Sequence, residues 1–217
     1  MTPKIAFVTD FDGTISDDDF FTYIARRYFD DKALTPWREY LSGTKTHFEA
    51  LREMFSKLRA PETELKSFIS EIYTDKEFVR TVALCFDKNI PVFICSAGCD
   101  YYINILIGEV IKNYRITLVT NNGKYDGKQG LLISKPDKTS PYYDEAVGIS
   151  KASIVRKLQS EGFKVIYAGD GPPDIEAARL ADYVFAKKIL LEKCREEGIK
   201  TLPFRSFADI SKFIKEV

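Results

Sequence analysis

Short apolar runs rich in β-favouring residues recur along the chain at Ile5–Thr9, Pro91–Cys95, Ile116–Thr120, Lys164–Ala168 and Tyr183–Phe185. Runs of that length without polar alternation read as strands buried on both faces. Stretches of helical periodicity, Asp100–Lys112, Lys151–Glu161 and Asp174–Leu180, separate most of them. Strand and helix in turn predict an α/β chain with a doubly wound, mostly parallel sheet and helices on both faces. A length of 217 residues suffices for one such domain carrying a smaller insert.

The interval between the first two strands breaks the pattern. From about Asp18 to Lys88 there is no strand signal, but helical stretches occur at Asp18–Phe29, Pro36–Leu41, Thr46–Leu58, Glu62–Tyr73 and Glu77–Lys88, punctuated by Gly43 and Pro61. A simple crossover needs only about a dozen residues, so this block reads as a helical cap inserted after strand one. The expected division is a core of residues 1–17 and 89–217 and a cap of residues 18–88. A second irregular stretch, residues 121–150, carries the turn dipeptides Asn122-Gly123 and Asp126-Gly127, then Gly130, Pro136 and Pro141. It predicts a small hairpin or flap within the core, followed by a loop.

Charge narrows the partners. Lys plus Arg and Asp plus Glu each number 32, so the net charge is zero. The basic residues form no run, which argues against nucleic acid. The first apolar run is too short for a signal-peptide core and no stretch reaches membrane-span length, so a cytoplasmic protein with no membrane partner is expected. Cys85 and Cys95 lie in apolar segments and read as small core residues; Cys95 and Cys99 are too few for a zinc site. The single histidine, His47, excludes chemistry that needs several and reads as a surface or cap residue. Whether the chain is a monomer or a homodimer stays open.

The chemistry concentrates where strands end. Asp10-Phe11-Asp12-Gly13-Thr14 follows the first strand, at the edge where open α/β sheets bind ligands. Along extended backbone Asp10 and Asp12 can face one point, an arrangement that a cation or proton must relieve. Ser96, with Ala97 and Gly98 behind it, ends the second strand and offers a hydroxyl and backbone N–H groups to an anion. Asp170 and Asp174, in Gly169-Asp170-Gly171-Pro172-Pro173-Asp174, follow the strand Lys164–Ala168. Lys151 opens a helix, an end whose dipole disfavours a cation. Acids, a hydroxyl and a cation from separate segments therefore meet at one edge of one sheet.

These residues resemble the four ordered motifs of the haloacid dehalogenase superfamily of phosphatases: Asp10 to Thr14, Ser96, Lys151, and Gly169 to Asp174. The resemblance covers the core, and the insert looks like that family's first type of cap. It implies a Mg²⁺-dependent hydrolase of a small phosphate ester, with Asp10 as nucleophile and Asp12 as acid and base. It further implies Mg²⁺ on the Asp10 carboxylate, the Asp12 backbone carbonyl and the Asp170 carboxylate. Ser96, Ala97, Gly98, Lys151 and Thr14 would hold phosphate, with Asp174 behind them orienting Lys151 or a metal-bound water.

Within the superfamily the chain is similar to the phosphoserine-phosphatase-like branch. It is most similar there to the methionine-salvage phosphatases, through Phe93 to Gly98 and the tail from Phe185 to Pro203. That similarity implies 2-hydroxy-3-keto-5-methylthiopentenyl-1-phosphate as substrate, with phosphoserine and phosphocholine as alternatives. Asp19 stands where phosphoserine phosphatases carry a substrate-sensing glutamate, whereas Glu53 and Pro173 replace their arginine and asparagine. A phosphotransferase would share the nucleophile. A non-catalytic phosphoacceptor domain would share the acidic pocket but lacks so large an insert.

Overall fold

The computed structural model describes residues 4–217; residues 1–3, counted with the core above, lie outside the described part. Strand β1 (Lys4–Thr9) enters the site and is followed by helices α1 (Phe20–Tyr28), α2 (Thr35–Leu41), α3 (His47–Phe55), α4 (Glu62–Ser70) and α5 (Lys76–Asp87). Then come β2 (Val92–Cys99), α6 (Asp100–Asn113), β3 (Thr117–Asp126), β4 (Gly130–Ser134), the short pair β5 (Tyr143–Asp144) and β6 (Gly148–Ile149), and α7 (Lys151–Ser160). The chain closes with β7 (Phe163–Gly169), a 3₁₀ turn (Pro172–Asp174), α8 (Ile175–Leu180), β8 (Tyr183–Ala186), α9 (Lys188–Glu196), β9 (Leu202–Pro203) and α10 (Phe207–Glu216).

The main sheet has seven strands in the order β4-β3-β2-β1-β7-β8-β9. All neighbours are parallel except β3 and β4. The chain winds outward from β1 in both directions, so the crevice at its carboxyl end is the switch point of the sheet. Alternation along β1 divides the core between the two faces. Ala6 and Val8 pack with Val155 and Leu158 of α7, while Phe7 packs edge-on to Phe207 of α10 with ring centroids 6.3 Å apart. No helix among the described residues is long and apolar enough to cross a membrane.

The cap differs from expectation at its end. Helix α5, expected as the last cap helix, belongs with α10: Phe78 packs on Phe207 at 5.0 Å, and the Thr81 hydroxyl donates to the Phe207 carbonyl at 3.0 Å. Its amphipathic pattern announced a partner without identifying it. The two connections between cap and core run side by side, with Asp75 N–H donating to the Ile15 carbonyl at 2.8 Å and Ser16 bridged to Thr74.

The flap is an extension of the sheet. Strand β3 runs unbroken from the core into a hairpin with β4, and the hairpin tip leans on the cap. The Tyr125 hydroxyl donates to the Ala60 carbonyl at 2.6 Å and accepts from the Ala60 N–H at 3.0 Å. Gly130 adopts φ +86°, and a Cβ there would lie 2.5 Å from the Phe55 carbonyl oxygen. Gly130→Ala should therefore destabilise the protein by roughly 2 kcal/mol, through backbone strain and loss of the flap–cap contact. Denaturant unfolding checks this; an unchanged midpoint contradicts it.

Candidate active site

Three strand ends deliver the site. Asp10 follows β1 and is pinned by its own N–H, which donates to the Ala168 carbonyl of β7 at 2.9 Å. Ser96 lies within β2, and Asp170 follows β7. Gly13 takes φ +69°, turning the chain back so tightly that a Cβ would lie 2.2 Å from Asp170 Oδ2. The side chains meet at the floor of a cavity of about 500 Å³ between the sheet edge and helices α1 to α3.

The two aspartates of the first turn are held apart chemically. Asp10 Oδ1 accepts from the Phe11 N–H at 2.7 Å, and Oδ2 faces Lys151 Nζ at 2.8 Å. Asp12 turns elsewhere. Its Oδ2 accepts from the Ser96 hydroxyl at 2.8 Å and the Tyr102 hydroxyl at 2.5 Å, and its Oδ1 from the Phe20 N–H at 3.1 Å. Burial pushes the Asp12 carboxyl above its usual range, against the pull of those three donors. Asp10 is pushed up further, by burial and then by the Asp174 charge, with Lys151 opposing.

Lys151 is buried at the start of α7, whose first turn is capped by the Ser150 hydroxyl accepting from the Ser153 N–H at 3.2 Å. Nζ also reaches Asp174 Oδ1 at 2.6 Å. Burial would lower the ammonium, but the Asp10 and Asp174 carboxylates outweigh it and hold Lys151 charged. Asp174 is fully buried and saturated. Besides Lys151 it accepts from the Tyr167 hydroxyl at 2.5 Å and from the N–H groups of Asp170 and Gly171 at 3.0 and 2.9 Å.

The carboxylates of Asp10, Asp170 and Asp174 each bring an oxygen within 4.8 Å of the others. Because the Asp174 oxygens already hold four donors, Asp10 and Asp170 are the members of that trio with capacity left. Asp170 accepts from the Thr14 hydroxyl at 3.1 Å and from Lys188 Nζ at 3.0 Å, and burial and the Asp174 charge push its carboxyl up. This crowding of hard oxygens suits a small divalent cation, which would offset the repulsion that, after burial, raises both groups.

Of the residues expected from sequence, Asp10, Asp12, Asp19, Ser96, Ala97, Gly98, Lys151 and Asp170 line the cavity. Thr14 does not; its side chain orients Asp170 instead. Asp19 stands at the lip ahead of α1, and desolvation and then the Asp12 charge push its carboxyl up to about 7. His47, read as a surface or cap residue, lies in the cavity wall. Lys187 and Lys188 strap the first turn, donating to the carbonyls of Thr14 and Gly13 at 2.9 Å.

Sequence reasoning missed Tyr102 and Tyr167, both of which pass as apolar positions of a helix and a strand. Tyr102 is fully buried, stacked on Phe20 with centroids 4.0 Å apart, and aims its hydroxyl at Asp12. Its one signal was position, in the first turn after the strand that carries Ser96. Tyr102→Phe keeps the ring and removes one of two side-chain donors to Asp12. Turnover should fall about tenfold with the fold intact, the value of a hydrogen bond to a charged group; wild-type kcat would contradict the role.

Known proteins share this outline. A family model described as haloacid dehalogenase-like hydrolase matches residues 7–179. A 2-hydroxy-3-keto-5-methylthiopentenyl-1-phosphate phosphatase from Bacillus velezensis is 27% identical over 223 residues, covering 100% of this chain and 92% of its own. One of the same name from Geobacillus kaustophilus is 29% identical over 213 residues, covering 97% and 95%. Among solved structures, a phosphoserine phosphatase with a phospho-aspartyl intermediate analogue superposes with TM-score 0.68 at 20% identity, covering 98% of this chain and 99% of that one. A substrate-bound phosphoserine phosphatase gives 0.70 at 19%, with the same coverage. At such identity the last two speak for the fold alone.

Proposed function

The chain belongs to the haloacid dehalogenase-like hydrolase family, and we propose that it releases phosphate from a small ester through an aspartyl-phosphate on Asp10. One observation carries this reading: two carboxylates from one turn sit in separate environments, Asp10 on Lys151 and Asp12 on Ser96 and Tyr102. Groups so divided are suited to different tasks.

Asp10 attacks phosphorus through a carboxylate oxygen, the bond to the leaving oxygen breaks, and Asp12 gives that oxygen a proton. Water then attacks phosphorus, Asp12 takes its proton, and the P–O bond to Asp10 breaks to free phosphate and restore the carboxylate. Lys151 keeps Asp10 aligned and meets negative charge on the phosphoryl oxygens as the ester bond opens. Ser96 and Tyr102 fix Asp12 toward the leaving group, and the saturated Asp174 holds Lys151 in place.

The Asp10 and Asp170 carboxylates, with the Asp12 backbone carbonyl, would hold Mg²⁺. When bound it supplies the positive charge that lets an anionic nucleophile approach an anionic phosphate. EDTA should therefore suppress phosphate release by about 10²-fold or more, and added Mg²⁺ should restore it. Full activity in EDTA would remove the metal from the account.

For substrate we favour 2-hydroxy-3-keto-5-methylthiopentenyl-1-phosphate, a step of methionine salvage. Two relatives named for it align over nearly their whole lengths. The cavity agrees in charge: its lining lysines are Lys151 and Lys188, both paired with acids, and Asp18 and Asp19 stand at the lip. Among the described residues, that leaves no unpaired cation in the lining for the carboxylate of phosphoserine. Phosphate release from a panel of both compounds, phosphocholine and sugar phosphates tests the choice; a preference for phosphoserine refutes it.

A further inference from the structure

Away from Asp10 the cavity runs into the cap, and its wall changes character. Trp37 and Tyr40 of α2 meet His47 of α3, with the histidine ring 5.7 Å from the Trp37 ring and 5.3 Å from Tyr40. Phe21 stacks against Trp37 at 4.3 Å, which stiffens this wall. All four line the cavity. At its mouth stand Leu41 from the cap and Ile189 from the core, large apolar side chains left 70% and 50% exposed.

His47 is a polar group of this wall that the reaction above does not use. Its Nδ1 is buried without a hydrogen-bond partner among the described residues. Burial and the nearby Lys151 charge push the imidazole down to about 4, so near neutral pH the ring is uncharged and carries one donor and one acceptor. With Nδ1 shut away inside the wall, the ring has its other nitrogen to offer to what enters the cavity that the residue lines.

We infer that the wall of Trp37, Tyr40 and His47 is the leaving-group subsite, taking an uncharged, mostly apolar alkyl or alkylthio chain whose oxygen hydrogen-bonds to His47. This rests on the phosphatase reading above and deepens it. Aromatic faces favour methylene and thioether groups, and the exposed Leu41 and Ile189 would be covered by the same chain. A neutral histidine suits a carbonyl or hydroxyl, whereas a carboxylate would find no unpaired cation among the described lining residues and would face the acids at the lip. Specificity would follow from apolar contact along the chain and from one hydrogen bond near its middle.

The test compares kcat/KM on methyl phosphate, pentyl phosphate, 3-oxopentyl phosphate and phosphoserine, with Mg²⁺. Wild type should favour pentyl over methyl phosphate by at least about tenfold, as burial of several methylenes predicts, and 3-oxopentyl phosphate should do better still. Phosphoserine should be the poorest of the longer esters. Trp37→Ala should collapse the pentyl-to-methyl ratio toward one, chiefly through KM. His47→Phe should erase the advantage of the keto group while keeping the pentyl preference, and His47→Asn should restore part of it. Should Trp37→Ala not fold, the His47 pair alone decides.

An unchanged pentyl-to-methyl ratio in Trp37→Ala, with both rates lowered alike, would mean a structural role and overturn the subsite. So would a wild type that hydrolyses methyl phosphate but shows no pentyl preference, or that prefers phosphoserine; the phosphatase reading would survive these results. No release from any ester would overturn both.

Discussion

Replacing Asp10 with asparagine should reduce phosphate release by at least about 10⁴-fold, because an amide oxygen cannot act as the nucleophile and no other group in the site takes its place. The Asp12 carboxylate of the same turn is committed to Ser96, Tyr102 and the Phe20 N–H. The fold should survive. The introduced amide can still accept from the Phe11 N–H, which holds Asp10 at 2.7 Å, and Lys151 keeps its second partner Asp174 at 2.6 Å. Burial and carboxylate crowding also raise the Asp10 carboxyl, so exchanging the charge for a neutral amide relieves repulsion in the metal-free protein. The expected result is thus an inactive protein whose melting temperature is unchanged or higher. Retained turnover, or loss of turnover together with loss of fold, would go against the assignment.

Lys151→Met should cost both activity and stability. Lys151 lies between two buried carboxylates, Asp10 at 2.8 Å and Asp174 at 2.6 Å. Methionine fills the volume but leaves two desolvated anions facing each other, a defect of about 3–5 kcal/mol. In the reaction it removes the donor placed where charge gathers on the phosphoryl oxygens, about 10²–10³-fold in kcat. Thermal unfolding and steady-state kinetics on one preparation check both effects. A variant that loses turnover but keeps wild-type stability would mean that the buried triad contributes little to the fold. Normal kinetics would return Lys151 to a structural role.

What the sequence made legible follows from where each signal was encoded. Strands β1, β2 and β7 were readable because burial on both faces requires unbroken apolar runs. Asp10 and Asp12 were readable because they share one turn at the end of a central strand. Ser96, Lys151 and Asp170 lie far apart in the chain, and they meet because parallel strands end at one edge. Information carried across the fold was not readable. Helix α5 shows an apolar stripe, but only the structure reveals that Phe207 of α10 fills it. Tyr102 and Tyr167 look like core aromatics until their hydroxyls are seen on Asp12 and Asp174. His47 reads as a surface or cap residue, and of the two it is a cap residue, turned by the α2–α3 contact against Trp37 and Tyr40 in the cavity wall. Thr14, read as a phosphate ligand from its place in the motif, instead spends its hydroxyl on Asp170.

The covalent route through Asp10 can be tested by trapping. Protein mixed with Mg²⁺ and substrate, quenched within one turnover and treated with borohydride, should carry homoserine in place of Asp10, because hydride reduces an acyl phosphate but not a free carboxylate. Mass spectrometry of the peptide containing residue 10 reads the change. The account predicts homoserine at residue 10 only when substrate and Mg²⁺ are both present, and none in Asp10→Asn. Reduction at another carboxylate, or an unmodified Asp10 in protein caught during active turnover, would contradict it.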